Sequence, residues 1–277
     1  MEFKRKKDFL VCIDSDGCAM DTMNIKHFEA FGPELIKIFN LEKYQDDILE
    51  HWNKVNLFSK TRGVNRFIGF LKSLEYANEK YNLNLDLTNY KNYIESGKKT
   101  KAEAMKEEYE KTNDEIFKKA YEWSLNVNDK IKSIPKEKNK SFNGVYETLK
   151  LISEKADVAI VSSANLEAVK EEWTKENLID FVDVICTQEF GTKKESIEYL
   201  LKTGGYEKEH VLKIGDAPGD LKAARDNGVY FYPIIAKEEE NSWKNLKETY
   251  LDKFFNEEYE EVDKELEEKF YLTLEKL

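Results

Sequence analysis

Four short polar stretches, each following an apolar run, carry the side chains best suited to chemistry. The first is Asp14-Ser15-Asp16-Gly17-Cys18-Ala19-Met20-Asp21-Thr22. In extended chain residues two apart point the same way, so Asp14 and Asp16 are expected to converge while Gly17 permits a sharp turn. Two like charges held together call for a cation or a shared proton. Taken alone, the segment also reads as a loop of solvated acids or a helix N-cap. A second acidic stretch, Ile214-Gly215-Asp216-Ala217-Pro218-Gly219-Asp220, sets two carboxylates four residues apart immediately after a buried run. Acids in that position are costly without a partner. Asp216 is a candidate cation ligand and Asp220 a near neighbour supporting it from behind.

The other two stretches are suited to an anion. Ser162-Ser163-Ala164-Asn165 stands directly ahead of a helical pattern, and hydroxyls with backbone N–H groups at a helix start can hold a phosphate oxygen. Ser and Asn are equally the usual N-cap residues. Lys193-Lys194 follows Gly191-Thr192 and opens a segment carrying Ile197 and Leu200. A lysine there could neutralise a phosphoryl oxygen and hold a nearby carboxylate ionised; the alternative, in so lysine-rich a chain, is a solvated surface charge. Helical spacing to Ile197 and Leu200 favours Lys193.

The elements that would position these groups are legible as periodicity. Phe9 to Ile13, Val158 to Val161, Val182 to Cys186, Val211 to Ile214 and Val229 to Ile235 are short apolar runs rich in Val and Ile, the pattern of parallel strands buried on both faces. Helical patterns over Val145 to Ile152, Leu166 to Leu178, Lys194 to Thr203 and Leu221 to Asn227 alternate with them, the last closed by Gly228. Alternating strand and helix predicts an α/β fold with a Rossmann-like parallel sheet. Every polar stretch then lies at the carboxyl end of a strand, where ligands bind in open parallel sheets.

Between the first two strands the chain is rich in Lys, Glu, Tyr and Asn and helical in period, which predicts an inserted all-α domain. The expected boundaries are 1–21 and 141–239 for the sheet core, 22–140 for the helical insertion, and 240–277 for a charged C-terminal helical extension. That extension spaces Trp243, Leu246, Tyr250, Phe254, Phe255, Tyr259 and Val262 at roughly three to four residues. It is expected to pack on the core or the insertion rather than to build an oligomer, so a monomer is the expectation.

Composition narrows the partners. Lys plus Arg number 44 against 55 Asp plus Glu, a net charge of -11, which disfavours an extended nucleic-acid or anionic-membrane surface. Cys12, Cys18 and Cys186 are odd in number and widely spaced, so neither a disulfide framework nor a zinc site is indicated. The basic start Lys4-Arg5-Lys6-Lys7 is followed by too short an apolar run for a signal peptide. No stretch approaches the roughly 18 to 20 apolar residues of a membrane span. A cytoplasmic protein is expected.

In this order, the four stretches resemble the motifs of the haloacid dehalogenase superfamily: an aspartate motif, a strand-end Ser, a lysine and Gly-Asp-x-x-x-Asp. Asp16-Gly17-Cys18-Ala19-Met20-Asp21-Thr22, with His27 and Ala30-Phe31, and the re-entry at Phe142-Asn143-Gly144-Val145 are similar to members whose helical cap follows the first motif, the β-phosphoglucomutase and phosphatase group. Cys18 stands where the family usually has Thr or Val, and no proline follows the lysine.

The resemblance implies that Asp14 attacks phosphorus while Asp16 protonates the leaving oxygen and later activates water. It implies Mg2+ held by Asp14, the Asp16 main-chain carbonyl and Asp216, with Asp220 behind them. Ser162 would bind a phosphoryl oxygen, joined by Ser163, and Lys193 would hold the phosphoryl group and Asp14 together. An acid two positions after the nucleophile implies phosphate ester chemistry on a small phosphorylated metabolite. Substrate choice in such proteins lies in the cap, where Lys60-Thr61-Arg62-Gly63-Val64-Asn65-Arg66 places Arg62 and Arg66 four apart, able to face one anion beside Asn65. An ordinary exposed inter-helix turn is the alternative. A phosphatase is the expected activity; a sugar phosphomutase and a non-catalytic phospho-ligand-binding protein are the alternatives.

Overall fold

In the computed structural model, which describes residues 3–276, the five apolar runs form five parallel strands in one sheet. They are β1 (Phe9–Ile13), β2 (Ala156–Val161), β3 (Val184–Cys186), β4 (Val211–Gly215) and β5 (Tyr230–Pro233), in the order β3-β2-β1-β4-β5. Leu10 of β1 pairs with Asp157 on one side and Val211 on the other, and Ile13 with Ile160 and Ile214. β1 is therefore central, and the strand order reverses beside it. That reversal opens the crevice in which such sheets bind ligands.

The chain divides into two compact units, one comprising residues up to Met23 with Glu137–Lys276, the other Asn24–Lys136. The short helix α1 (Met23–Lys26) lies at the join. The second unit is all-α: α2 (Gly32–Phe39), α3 (Gln45–Leu57), α4 (Arg66–Tyr81), α5 (Thr88–Glu95), α6 (Ala102–Thr112) and α7 (Glu115–Ser133). Its core is aromatic. Trp52 and Trp123 are fully buried and meet edge to face at 5.8 Å, with Phe70, Tyr90 and Phe117 around them. Each indole also finds a polar partner: Trp52 Nε1 donates to His27 Nδ1 at 3.0 Å and Trp123 Nε1 to the Phe31 carbonyl at 3.1 Å.

Around the sheet lie α8 (Val145–Lys155), α9 (Leu166–Lys175), α10 (Lys193–Gly204), α11 (Pro218–Asn227), α12 (Glu239–Asn245), α13 (Leu251–Phe255) and α14 (Glu260–Lys276). The helix read as Leu166 to Leu178 stops three residues early because Asn177 turns left-handed, at φ 57°. Gly228 closes α11 in the same conformation, at φ 70°. Residues 240–276, set apart by their charge, belong to the sheet unit. β5 is an edge strand, and the tail covers it: Asp263 of α14 accepts from Phe231 N at 2.7 Å, and Tyr232 donates through its hydroxyl to the Ser242 carbonyl at 2.7 Å. An unpaired edge strand is a template for wrong pairing. Among the described residues no helix is long and apolar enough to cross a membrane.

Candidate active site

Asp14 is the residue after β1 and stays registered with the sheet, its N–H donating to the Ile214 carbonyl at 3.1 Å. The chain then coils on itself. Ser15 O accepts from Met20 N at 2.9 Å, Gly17 N donates to Met20 O at 2.8 Å, and Gly17 sits at φ 77°, a conformation in which a side chain would be strained. Two buried indoles hold this coil from outside it: Trp173 Nε1 donates to Ser15 Oγ at 2.9 Å, and Trp243 Nε1 to the Cys18 carbonyl at 2.8 Å. Cys18 is fully buried, so a small side chain suits its place. Because the chain coils, the two-residue alternation of extended strand ends at Asp14. The carboxylate of Asp16 is held by Thr22 Oγ1 instead.

The carboxylates that converge are Asp14, Asp216 and Asp220, with ligand oxygens all within 4.8 Å of one another. Asp216 follows β4 directly, and Asp220 comes round on the first turn of α11. Gly215 makes that approach possible: a Cβ there would lie 2.3 Å from the Asp220 side chain.

Lys193 enters from the first turn of α10. Thr192 and Glu195 form a capping box that fixes this helix start, with Thr192 N to Glu195 Oε2 at 2.7 Å. Lys193 Nζ lies 2.7 Å from Asp14 Oδ2 and 2.8 Å from Asp220 Oδ1. Lys194 is exposed, with Asp226 at 3.8 Å. A second lysine, Lys213, rises from the middle of β4, is fully buried, and meets Asp220 Oδ1 at 2.8 Å.

Burial pushes the Asp14 carboxyl up, the nearby charge of Asp220 adds to that, and Lys193 with Lys213 opposes it. For Asp220, burial acts in the same direction, but the two lysines outweigh it and hold the carboxyl below its usual range. Burial would lower Lys193; its two carboxylates outweigh that and raise it. Three carboxylates face two ammonium groups, which leaves negative charge over, and the donors are hard oxygens. That set fits a divalent ion of the magnesium class.

Ser162 is buried beyond the end of β2, its N–H donating to the Cys186 carbonyl at 3.0 Å and its Oγ accepting from Ala164 N at 3.2 Å. Ser163 is exposed. Capping of α9 falls to Asn165, whose side chain accepts from Ala168 N at 2.8 Å. In the helical unit, Arg62 is buried and donates to the Leu57 carbonyl at 2.7 Å, while Lys60, Gly63 and Asn65 around it are exposed. Asn65 caps α4. Arg66 lies over the Phe31 ring at 4.9 Å and donates to Asn128 at 2.8 Å and Ser124 at 3.2 Å; burial pushes its guanidinium down to about 10. The two guanidinium groups are thus engaged by different partners within that unit.

Lys213, Trp173 and Trp243 are residues that the sequence pattern does not assign to the site, although the two indoles lie in helical patterns. Lys213 had a signal, a lone charge inside Val211-Leu212-Lys213-Ile214, since a charge at the centre of a buried strand requires a partner.

A model of the family described as haloacid dehalogenase-like hydrolase matches residues 64–234, a span holding Ser162, Lys193, Lys213, Asp216 and Asp220. No curated protein matches the chain. Among solved structures, a haloacid dehalogenase-like family hydrolase from Streptococcus pneumoniae aligns with TM-score 0.54 at 13% identity, covering 85% of this chain and 90% of its own. A putative beta-phosphoglucomutase from Thermotoga maritima aligns at 0.50 and 16%, covering 86% and 99%. A hydrolase from Pseudomonas syringae aligns at 0.50 and 16%, covering 86% and 90%. At such identities the likeness is one of fold, and it agrees with the family match: this chain, with its five-stranded Rossmann-like sheet and inserted helices, belongs to the haloacid dehalogenase-like hydrolases.

Proposed function

We propose that the protein is a magnesium-dependent phosphatase that hydrolyses a small phosphorylated metabolite through an aspartyl phosphate on Asp14. The observation that carries this reading is Lys193 Nζ, bonded at once to Asp14 Oδ2 and Asp220 Oδ1 beside Asp216. A carboxylate so placed is oriented for in-line attack, and an ammonium group stands ready for the phosphoryl oxygens. Asp14, the Asp16 main-chain carbonyl and Asp216 would hold the magnesium, which supplies positive charge against the repulsion between carboxylate and phosphate.

In the first half-reaction an oxygen of Asp14 forms a bond to phosphorus as the ester P–O bond breaks, and the leaving oxygen takes the proton of Asp16. In the second, Asp16 takes a proton from water as that water attacks phosphorus, releasing inorganic phosphate and restoring Asp14. Two lower barriers replace one high one. Thr22, bonded to the Asp16 carboxylate, orients that acid. Ser162 and Ser163 would contact the phosphoryl group, with Arg62, Asn65 and Arg66 contributing to substrate choice.

The test is phosphate release from a panel of monoesters that includes p-nitrophenyl phosphate, with Mg2+ present. Wild type is expected to turn over at least one ester, and Asp14→Asn to lose about a thousandfold or more, roughly 4 kcal/mol of barrier. Release of an isomerised sugar phosphate in place of free phosphate would move the reading to a phosphomutase. No product from any ester would remove it.

A further inference from the structure

Lys213 is a fully buried ammonium group in the central part of a parallel sheet. Its Nζ has three protons to donate, and three partners receive them: Asp220 Oδ1 at 2.8 Å, the Ile214 carbonyl at 3.0 Å and the Val161 carbonyl at 3.3 Å. Two of these are backbone atoms next to the ends of β4 and β2, so the group is fixed. Lys193 differs. It stands on the first turn of a helix, its side chain retains 14% exposure, and both its partners are carboxylates. Lys193 keeps an open side, whereas Lys213 is closed in.

Both ammonium groups meet the same oxygen, Asp220 Oδ1, while Asp220 Oδ2 is buried with no hydrogen-bond partner. Asp220 also lies within ligand reach of Asp14 and Asp216. Two fates are open to it: a third ligand to a cation, or an anchored counter-charge. We infer that Lys213 is a positioning residue that decides between them, tethering Asp220 by a bond independent of Lys193 and withholding it from the cation. Lys193 can then leave Asp220 for a phosphoryl oxygen without stranding a buried carboxylate, whose unpaired burial is costly. Without Lys213, Asp220 would turn to the cation and hold it as a third carboxylate. The inference rests on the reading of Asp14 and Asp216 as cation ligands given under Proposed function.

The experiment compares wild type with Lys213→Met, using Mn2+ alone as the probe, titrated calorimetrically into substrate-free protein, alongside kcat and KM. Lys213→Met is expected to bind Mn2+ roughly threefold to tenfold more tightly, because ligand charge count sets affinity. Its kcat should fall about tenfold to a hundredfold with KM within about twofold. A merely structural role for Lys213 would instead weaken Mn2+ binding along with thermal stability, and that result, or unchanged binding, overturns the inference. Wild type that binds no Mn2+ overturns the ligand reading and the inference together. Should Lys213→Met not fold, Asp220→Asn and Lys213→Met/Asp220→Asn are compared: equal Mn2+ affinity supports action through Asp220, and a difference beyond about threefold overturns it.

Discussion

Trp243 donates its indole N–H to the Cys18 carbonyl at 2.8 Å, joining a helix late in the chain to the coil that follows Asp14. Both residues are fully buried. Trp243→Phe keeps most of the apolar bulk and removes the donor, so the carbonyl is left unsatisfied at a cost of about 1 to 3 kcal/mol. Urea denaturation is expected to show that loss, and turnover to fall with it, because the coil positions both Asp14 and Asp16.

The adjacent lysines separate cleanly. Lys193 reaches Asp14 and Asp220, whereas Lys194 is exposed with Asp226 at 3.8 Å. Lys193→Ala is expected to lower kcat about a hundredfold or more, the scale of losing one preorganised charge at a reacting centre. Lys194→Ala should stay within about twofold, since exposed pairs of this kind contribute little. Steady-state kinetics on the two variants checks both.

Gly215 has no room for a side chain, because a Cβ would meet Asp220 at 2.3 Å. Gly215→Ala must push Asp220 off its lysines or shift β4. Overpacking of this kind costs about 1 to 3 kcal/mol. The expected outcome is a folded protein of lowered melting temperature whose activity falls further than its stability does, measured by thermal melts and phosphate release side by side.

Asp47 gives the helical unit a pH signature of its own. Hydrogen bonds from Lys80, Tyr81 and Tyr76, in that order of weight, outdo partial burial and bring its carboxyl from 3.8 down to about 2. A carboxyl depressed in the folded state contributes stability that is fully present above its unfolded value and lost as pH falls through its folded value. Asp47→Asn is therefore expected to melt below wild type at pH 7, with the gap closing between about pH 4 and about pH 2. A gap that stayed constant with pH would show that the carboxylate charge does not matter there.

The sheet was legible because burial on both faces leaves little choice of residue. Phe9 to Ile13 was read at its observed bounds, and the other runs differ by one or two residues at an end, where Pro233 and the turn at Ile179–Phe181 end or delay pairing. The acids at Asp216 and Asp220 were legible for the same reason, as charges placed where apolar chain stops. Lys213 obeys the opposite logic: its partner, Asp220, lies on a helix start, and nothing in local periodicity says which carboxylate will come round to meet it. The burial of Arg62 was hidden for a different reason. A polar break around Gly63 suggests solvent, yet the Arg62 guanidinium folds back on the Leu57 carbonyl; side-chain direction in a turn follows from backbone dihedrals that residue types alone do not specify. For Asp16, the hydroxyl that holds it, that of Thr22, is set by the coil after β1 and not by strand alternation.

The central place of β1 has a kinetic consequence. Its neighbours are β2, with Phe9 against Ala156, and β4, with Leu10 against Val211. The first strand therefore has no partner for well over a hundred residues of chain. Loop closure over such spans rises only slowly in free-energy cost, but pairings between distant segments slow folding. Until β2 arrives, Phe9 to Ile13 is a short, uncharged run of high β-propensity, the kind of segment that seeks strangers when left open. The charged residues Lys4, Arg5, Lys6, Lys7 and Asp8 that lead into it then suit the part of gatekeepers, charges that discourage the strand from pairing with another chain while it waits for its own.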